Sequence, residues 1–545
     1  LPRDYPDPFG RGASVMPWDR EDQRHRLNDG RAYDVGLSDD AGAANNLGLA
    51  SCQAFAPSQA AIERLDEYVE HTLIGIKTDT AKPPYKSLQL PEPNLGVRMT
   101  LFYYNQTYFP WNYTESRECG TVAGLNYNWC MTEKQANATY RGFNYPHQIA
   151  VWYSMYRAAR NHPRLKVSRT WQWYLERAAN TTLRLGFARI GYMDGTVTRE
   201  VLRSVMEEAA EAETQGDTKA PWQGLGGKIL KGERMRADYF KRAPNPYGSE
   251  FSYDTTGQEE VVVWQLYFDY DDSASRTVNH VLQYMRSLPN WAYNGGAVAG
   301  DVANGGKWLV SAGTGRGDYG KMHYRAGLNQ IPLIEWYRRH PDEFEMLKIA
   351  VGAISGQLSN IDPNGAPAIY YHAYPHVMEH DAYSGDYGLG FFGLSLESSA
   401  TFVLHPELGP LCYLCDLLEP DSSLGPGYTV APRDAYRQRL YLEPLGLYLQ
   451  ADSGIFDSVT LSLPERRISV RFADAAATPA GFQTYDVLRL RVDKVARPDA
   501  NRPGTDFIVL EPANVKLVRN AFEIDATAAA LNVSISWSDS YMTFI

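Results

Sequence analysis

Ionisable, amide and aromatic side chains gather between Asp254 and Tyr387, in stretches rich in glycine, asparagine and serine. The stretches are Tyr253-Asp-Thr-Thr-Gly-Gln-Glu-Glu260, Trp291-Ala-Tyr-Asn-Gly295, His323-Tyr-Arg325, Asn360-Ile-Asp362, the run from His372 to His380, and Tyr383-Ser-Gly-Asp-Tyr387. Histidine and phenol groups can move protons, and these stretches hold His323, His372, Tyr383 and Tyr387, with Asp386 between the two tyrosines. Arg325, Asn294, Asn360 and Tyr293 stand in the same stretches, and Lys307 lies between them in sequence. Glu260, Asp362, Asp381 and Asp386 could instead supply a pair of carboxylates for hydrolysis. Loops held by a rigid scaffold are favoured places for such groups.

Several of these pieces also have a plainer reading. Thr256-Gly-Gln-Glu259 fits a capping box ahead of the apolar run Val261–Val263, so Glu259 reads as a helix cap. Glu260 falls on the other side of that first turn, facing a cleft or complementing the helix dipole. His372, His376 and His380 are spaced by four, but Pro375 would interrupt the helix needed to align them, so no metal is expected. Gly313-Thr-Gly-Arg-Gly317 lacks the preceding strand that a dinucleotide site requires, and neither a P-loop nor a Gly-x-Ser-x-Gly elbow occurs, so no cofactor is expected.

Positioning these groups falls to the elements on either side. Apolar residues recur at helical spacing in Ile149, Trp152, Tyr153, Tyr156; in Trp171, Tyr174, Leu175, Ala178; in Val201, Leu202, Val205, Met206; in Val263, Leu266, Tyr267, Tyr270; and in Val278, Val281, Leu282, Met285. After Asp416 the period becomes two, in Leu461/Leu463, Ile468/Val470/Phe472, Leu488/Leu490/Val492 and Leu531/Val533/Ile535/Trp537, as in half-buried antiparallel strands. The boundary falls at 417–435, in the Pro/Gly/Ser-rich stretch Ser422–Gly427. The expected fold is mainly α with a C-terminal all-β module: an irregular lead-in over 1–50, an α/α toroid of helical hairpins over 51–420, and an antiparallel β-domain over 421–545.

Composition narrows the partners. The chain has 545 residues, 53 basic and 64 acidic, for a net charge of −11 and a pI near 5.6, with no clustered Lys/Arg run. Nucleic acid is therefore not an expected partner. No stretch of about 20 apolar residues is present to span a bilayer, so no membrane is expected. The 37 tyrosines and 12 tryptophans supply rings that also hydrogen-bond, a modest pointer to sugars. Sequons at Asn105, Asn112, Asn137, Asn180 and Asn532, three of them near Cys119 and Cys130, favour a secreted, extracellular glycoprotein with a Cys119–Cys130 disulfide. Cys412-x-x-Cys415 is open to a second bridge, a redox pair or zinc ligation. Cys52 is left as a buried thiol or one with an external partner.

At the same stretches the sequence resembles polysaccharide lyase family 27, the L-rhamnose-α-1,4-D-glucuronate lyases, and related fungal and bacterial secreted proteins. The resemblance lies in Tyr253–Glu260, Trp291–Gly295, His323-Tyr324 with Leu328-Asn329, Leu358–Asp362 and Tyr383–Gly388, and in Val35–Gly42 at the entry to the helical region. It implies an oligo- or polysaccharide substrate and β-elimination at a glucuronate. That reaction needs a neutralised carboxylate, a base for the C5 proton and an acid for the leaving O4. The resemblance implies Arg325, Lys307, Asn294 or Asn360 for the first, His323 or His372 with Tyr383 or Tyr387 for the base and acid, Asp386 to orient one of them, and Tyr293 among the binding residues. It also implies a β-rich portion ahead of the helices, hence an expected companion chain from a cleaved precursor, linked through Cys52. Two other readings stay open: an inverting hydrolase on the same scaffold, and an inactive glycan-binding or storage protein, which Arg325 and Leu394 favour as departures from the family pattern.

Overall fold

The computed structural model describes residues 13–16, 18–19, 23–25, 40–75, 87–101, 133–187, 192–193, 195–217, 219–243, 258–286, 323–358, 368–369, 399–419, 427–433, 438–473, 487–495, 507–511, 515–525 and 532–537. Among them eleven α-helices precede the main sheets. They are α1 Asp40–Gln53, α2 Gln59–Glu67, α3 Glu133–Ala136, α4 Tyr145–Asn161, α5 Trp171–Leu185, α6 Gly195–Thr214, α7 Trp222–Arg242, α8 Gln258–Tyr267, α9 Asp271–Arg286, α10 His323–Arg339 and α11 Phe344–Leu358. The five apolar patterns read from the sequence fall on α4, α5, α6, and the α8–α9 pair.

Helix α4 is more than amphipathic. Every residue from Tyr145 to Ala158 is buried, because α1 and α5 flank it and a β-sheet lies beyond its C-terminal half. Its polar groups need internal partners. Trp152 Nε1 donates to Gln89 Oε1 at 3.0 Å, and Gln89 Nε2 donates to Thr181 Oγ1 of α5 at 2.9 Å. Helix α5 starts where Thr170 Oγ1 accepts from the Trp173 amide.

Helices α8 and α9 are joined by only Phe268–Tyr270, and α10 and α11 by only His340–Glu343, so each pair is an antiparallel hairpin. The two hairpins share a core of Val262, Val278, Val281, Leu333, Tyr337 and Leu347. At the C-terminal end of α10, Arg339 donates to the Leu266 carbonyl at 3.3 Å and to Asp269 and Asp271 at 2.9 and 3.0 Å. That pins the ends of α8 and α10 together, so these two helices run in the same direction.

Sixteen strands are described. β1 Trp18–Asp19, β2 Arg24–His25 and β3 Ala368–Ile369 form a small sheet in the order β2-β1-β3. The others are β4 Ala400–His405, β5 Gly409–Tyr413, β6 Cys415–Leu418, β7 Tyr428–Pro432, β8 Arg439–Leu442, β9 Leu447–Ser453, β10 Phe456–Ser462, β11 Arg467–Phe472, β12 Val487–Lys494, β13 Phe507–Glu511, β14 Lys516–Val518, β15 Ala521–Asp525 and β16 Asn532–Trp537. A six-stranded sheet runs β13-β16-β11-β10-β7-β6 and a seven-stranded sheet runs β14-β15-β12-β9-β8-β4-β5, antiparallel except for the parallel pair β4–β8. The first strand of this region starts at Ala400, ahead of the compositional change at 417–435. Its run Phe402-Val-Leu404 is continuously apolar, so periodicity alone does not separate it from a helix.

The two sheets pack face to face around Leu449, Val459, Val470 and Leu490. The turn after α1 inserts Ala54, Phe55 and Ala56 into the same core, and the Phe55 carbonyl accepts from the Gly454 amide at 3.0 Å. Between β5 and β6 the chain passes from the edge of one sheet to the edge of the other at Leu414, whose φ is +57°. A Cys412–Cys415 disulfide with Cα atoms 5.4 Å apart spans that step. Cys52 is buried in α1.

Alternation decides what covers the outer face of the seven-stranded sheet. Leu440, Leu449, Ala451, Leu488 and Leu490 point into the sandwich, which turns Arg439, Tyr441, Gln450, Asp452, Arg489 and Arg491 toward the helices. In sequence these polar positions read as a solvated face. In the structure they are buried, and the helical layer meets them with charge of the opposite sign.

Candidate functional site

That seam is an extended ionic network. Asp452 on β9 meets Arg157 of α4 at 3.2 Å and Arg491 of β12 at 3.1 Å, and Arg491 continues to both oxygens of Glu207 on α6 at 2.5 and 3.1 Å. Glu208, next on α6, binds Arg160 at 2.8 Å, accepts from Tyr156 at 2.8 Å and reaches Arg519 at the β14–β15 turn at 3.2 Å. Burial would raise the Asp452 carboxyl, but Arg491, Arg157, Arg489 and Arg203 together hold it well below the usual carboxylate range. Burial raises Tyr153 to about 12, with Glu200 adding in the same direction.

Toward solvent the seam opens into a cleft of about 970 Å³. Helix α6 forms one wall, because Arg199, Arg203, Met206 and Ala210 recur at steps of four, three and four and so share a face. Strands β9 and β12 form the opposite wall through Tyr448, Gln450, Asp493 and Lys494, and the C-terminal ends of α8 and α10 close one end with Tyr267, Glu335 and Arg338.

Charged side chains in the cleft are tied in chains. Arg199 binds Glu335 at 2.9 Å and lies 3.9 Å from Glu200, while Arg203 lies 3.8 Å from Glu200, 3.3 Å from Glu207 and 2.7 Å from Asp493. Arg338 stacks 4.7 Å from the centre of the Tyr448 ring and donates to Ser399 at 2.8 Å. Burial pushes the Glu200 carboxyl up, but Arg203, Arg439, Arg199 and Arg491 outweigh it and keep the group ionised below its ordinary value. Such a carboxylate accepts hydrogen bonds well and is poorly suited to act as a general acid.

Among the described residues, the lining of the cleft includes none of the site candidates singled out from the sequence. Glu260 lies in the first turn of α8, and His323 and Arg325 open α10; their side chains lie outside the described residues. Twelve residues separate His323 from Glu335, about 18 Å along the helix at 1.5 Å per residue, so His323 is a long way from the cleft. Tyr293, Asn294, Lys307, Asn360, Asp362, His372, Tyr383, Asp386 and Tyr387 lie outside the described residues, as do Asn105, Asn112, Cys119 and Cys130. Hairpin geometry nevertheless relates their attachment points. The start of α8, the end of α9, the start of α10 and the end of α11 all fall at one end of the two hairpins, opposite the turns that rest on the seam.

Of the other sequons, Asn532 is exposed at the start of β16, and Asn137 Oδ1 accepts from Arg98 at 2.6 Å. Asn180 lies within α5, where Thr181 and Thr182 are buried and donate back to the carbonyls of Arg177 and Ala178. No three His, Cys, Asp or Glu residues are grouped to hold a metal among the described residues, and His372, His376 and His380 lie outside them. No helix among the described residues is long and apolar enough to cross a membrane.

Sequence reasoning missed the cleft. Its signal was present in α6, where Arg199, Glu200, Arg203, Glu207 and Glu208 crowd charge onto a helix that also carries Val201, Leu202 and Val205. The matching signal was the alternation of Arg489, Arg491 and Asp493 with Leu488, Leu490 and Val492.

The sequence pattern described as a family of unknown function (DUF5695) matches residues 3–503, and the chain belongs to that family. The match spans the helices and the sandwich as far as β12. No curated protein and no solved structure matches the chain.

Proposed function

We propose that the chain is a secreted carbohydrate-active enzyme, a polysaccharide lyase that cleaves the glycosidic bond to a glucuronate by β-elimination, on helical hairpins closed into an α/α toroid. One observation carries the reading: the stretches that resemble the glucuronate lyases attach to a single end of two packed hairpins. Tyr253–Glu260 leads into α8, Trp291–Gly295 follows α9, His323-Tyr324 opens α10 and Leu358–Asp362 follows from the end of α11. Four segments far apart in sequence thus start from one place, as convergent catalytic groups require. The packing of consecutive helices from α4 to α11 on one another supports the toroid, and the Cys412–Cys415 disulfide and the exposed Asn532 sequon support an extracellular protein.

In this mechanism Arg325, with Lys307, Asn294 or Asn360, neutralises the uronate carboxylate and so acidifies the C5 proton. The first-turn amides of α10 have no acceptor within the helix, and the positive end of its dipole favours the same anion. His323 or His372 removes the C5 proton, the C5–H electrons form the C4–C5 double bond, and the C4–O4 bond breaks. Tyr383 or Tyr387 protonates the leaving O4, with Asp386 orienting its partner. Tyr293, Glu260 and Asp362 hold the neighbouring hydroxyls.

The test is product formation from a glycan whose glucuronate carries a further sugar on O4. Wild type should release a product absorbing in the ultraviolet, and single His323→Ala and Tyr383→Phe variants should lose it by at least a hundredfold. Normal rates in both variants would sink the assignment. A saturated reducing sugar would mean a hydrolase, and binding without any product a glycan-binding protein.

A further inference from the structure

The cleft between α6 and the seven-stranded sheet has no place in the elimination reaction, yet its lining is specific. Three large apolar side chains that remain exposed meet at it: Met206 at 38%, Tyr267 at 47% and Leu517 at 66%. The Tyr267 ring is held by edge contacts to Trp264 and Phe268, with centroids 5.2 and 5.0 Å away. An exposed ring fixed in this way is a stacking platform whose ordering is complete before a ligand arrives.

Below this rim the charges nearly cancel. Four arginines and Lys494 line the cleft against the carboxylates of Glu200, Glu207, Glu335 and Asp493. Arg199, Arg203 and Asp493 keep between about a quarter and a third of their side-chain surface exposed while held by ion pairs. The result is a rigid array of planar donors and acceptors with little net field. An anion entering it would face the carboxylates, and a wholly apolar ligand would strip water from the guanidiniums with nothing in return. A neutral polyhydroxylated ring satisfies both parts, with hydroxyls bridging guanidinium and carboxylate and its apolar face on Tyr267. The volume suits a short chain of such rings.

We propose that this cleft is a binding subsite for a neutral oligosaccharide, separate from the elimination site and about 18 Å along α10 from His323. It rests on the carbohydrate reading above for the class of ligand and would hold the neutral part of a glycan whose uronate is processed at the other end of the hairpins.

The test is calorimetric titration of the full chain with neutral gluco-, galacto-, manno- and rhamno-oligosaccharides and with an oligoglucuronate. A neutral oligosaccharide should bind, the oligoglucuronate should bind at least tenfold more weakly, and Tyr267→Ala should weaken the neutral ligand at least tenfold. Ala210→Trp, which fills the cleft from an exposed position on α6, should abolish binding, and His323→Ala should leave it unchanged. Circular dichroism and thermal unfolding establish that each variant is folded. The proposal is overturned if no neutral oligosaccharide binds, if the oligoglucuronate binds better, or if binding survives both cleft variants. Because the titration reads no turnover, its outcome is independent of the product assay, and a chain that binds here but forms no unsaturated product in that assay would refute the lyase reading and leave this subsite standing.

Discussion

Arg491 ties the molecule together at the scale of one side chain. It bridges Asp452 within the sheet and Glu207 on α6, all three buried. Replacing it with Met leaves two buried carboxylates short of their cation, and we expect Arg491→Met to cost about 3–5 kcal/mol, read from the urea midpoint. His162 adds to the acid sensitivity of the fold. Burial lowers its pKa to about 4, with its ring nitrogen 3.2 Å from the Ala54 carbonyl. The unfolded chain binds a proton below about 6.5, the folded one only near 4, so stability is complete above the first value and falls as pH drops toward the second. Thermal unfolding at pH 7 and pH 5 should show a smaller loss in His162→Gln than in wild type. Neither residue was legible in the sequence: Arg491 sits in a strand pattern that reads as polar-outward, and nothing around His162 marks it as buried.

At the scale of elements, the strongest periodic signals were legible because each matched one buried face. The patterns Ile149/Trp152/Tyr153/Tyr156 and Ile468/Val470/Phe472 correspond to α4 and β11, and every one of those residues is buried. The remainder was hidden where two layers cover one element. Helix α4 is buried on all sides, and the seven-stranded sheet is covered on both faces, with ion pairs standing in for apolar contacts on the second. Close approach of elements also leaves a mark. A Cβ on Gly427, just before β7, would lie 2.5 Å from the Leu461 carbonyl oxygen of β10. Because that obstacle is backbone, Gly427→Ala should cost about 1–3 kcal/mol, visible as a lower urea midpoint with an unchanged slope.

For the whole molecule, the layout of helices followed by sheets could be read from the switch in hydrophobic period, whereas the packing of the two could not. Alternation states that Arg489 and Arg491 share a face, but not that α4 and α6 lie across from it. The same limit applies to the candidate site. Sequence grouped Glu260, His323 and Arg325 through resemblance, and the hairpins relate the helix ends that carry them; the cleft at the opposite end arises from residues on α6, α8, α10 and the sheet that no linear motif joins. The proposed lyase thus has two ends, with elimination at the starts of α8 and α10 and neutral-sugar binding beside their C-terminal ends. The most direct measurement is the mass of the product released from a glycan whose glucuronate carries a further sugar on O4. A lyase yields a 4,5-unsaturated uronate, lighter by one water than the hydrolysis product, formed by wild type and absent with His323→Ala. A saturated uronate, or an unsaturated one formed equally well by the variant, would contradict the lyase assignment.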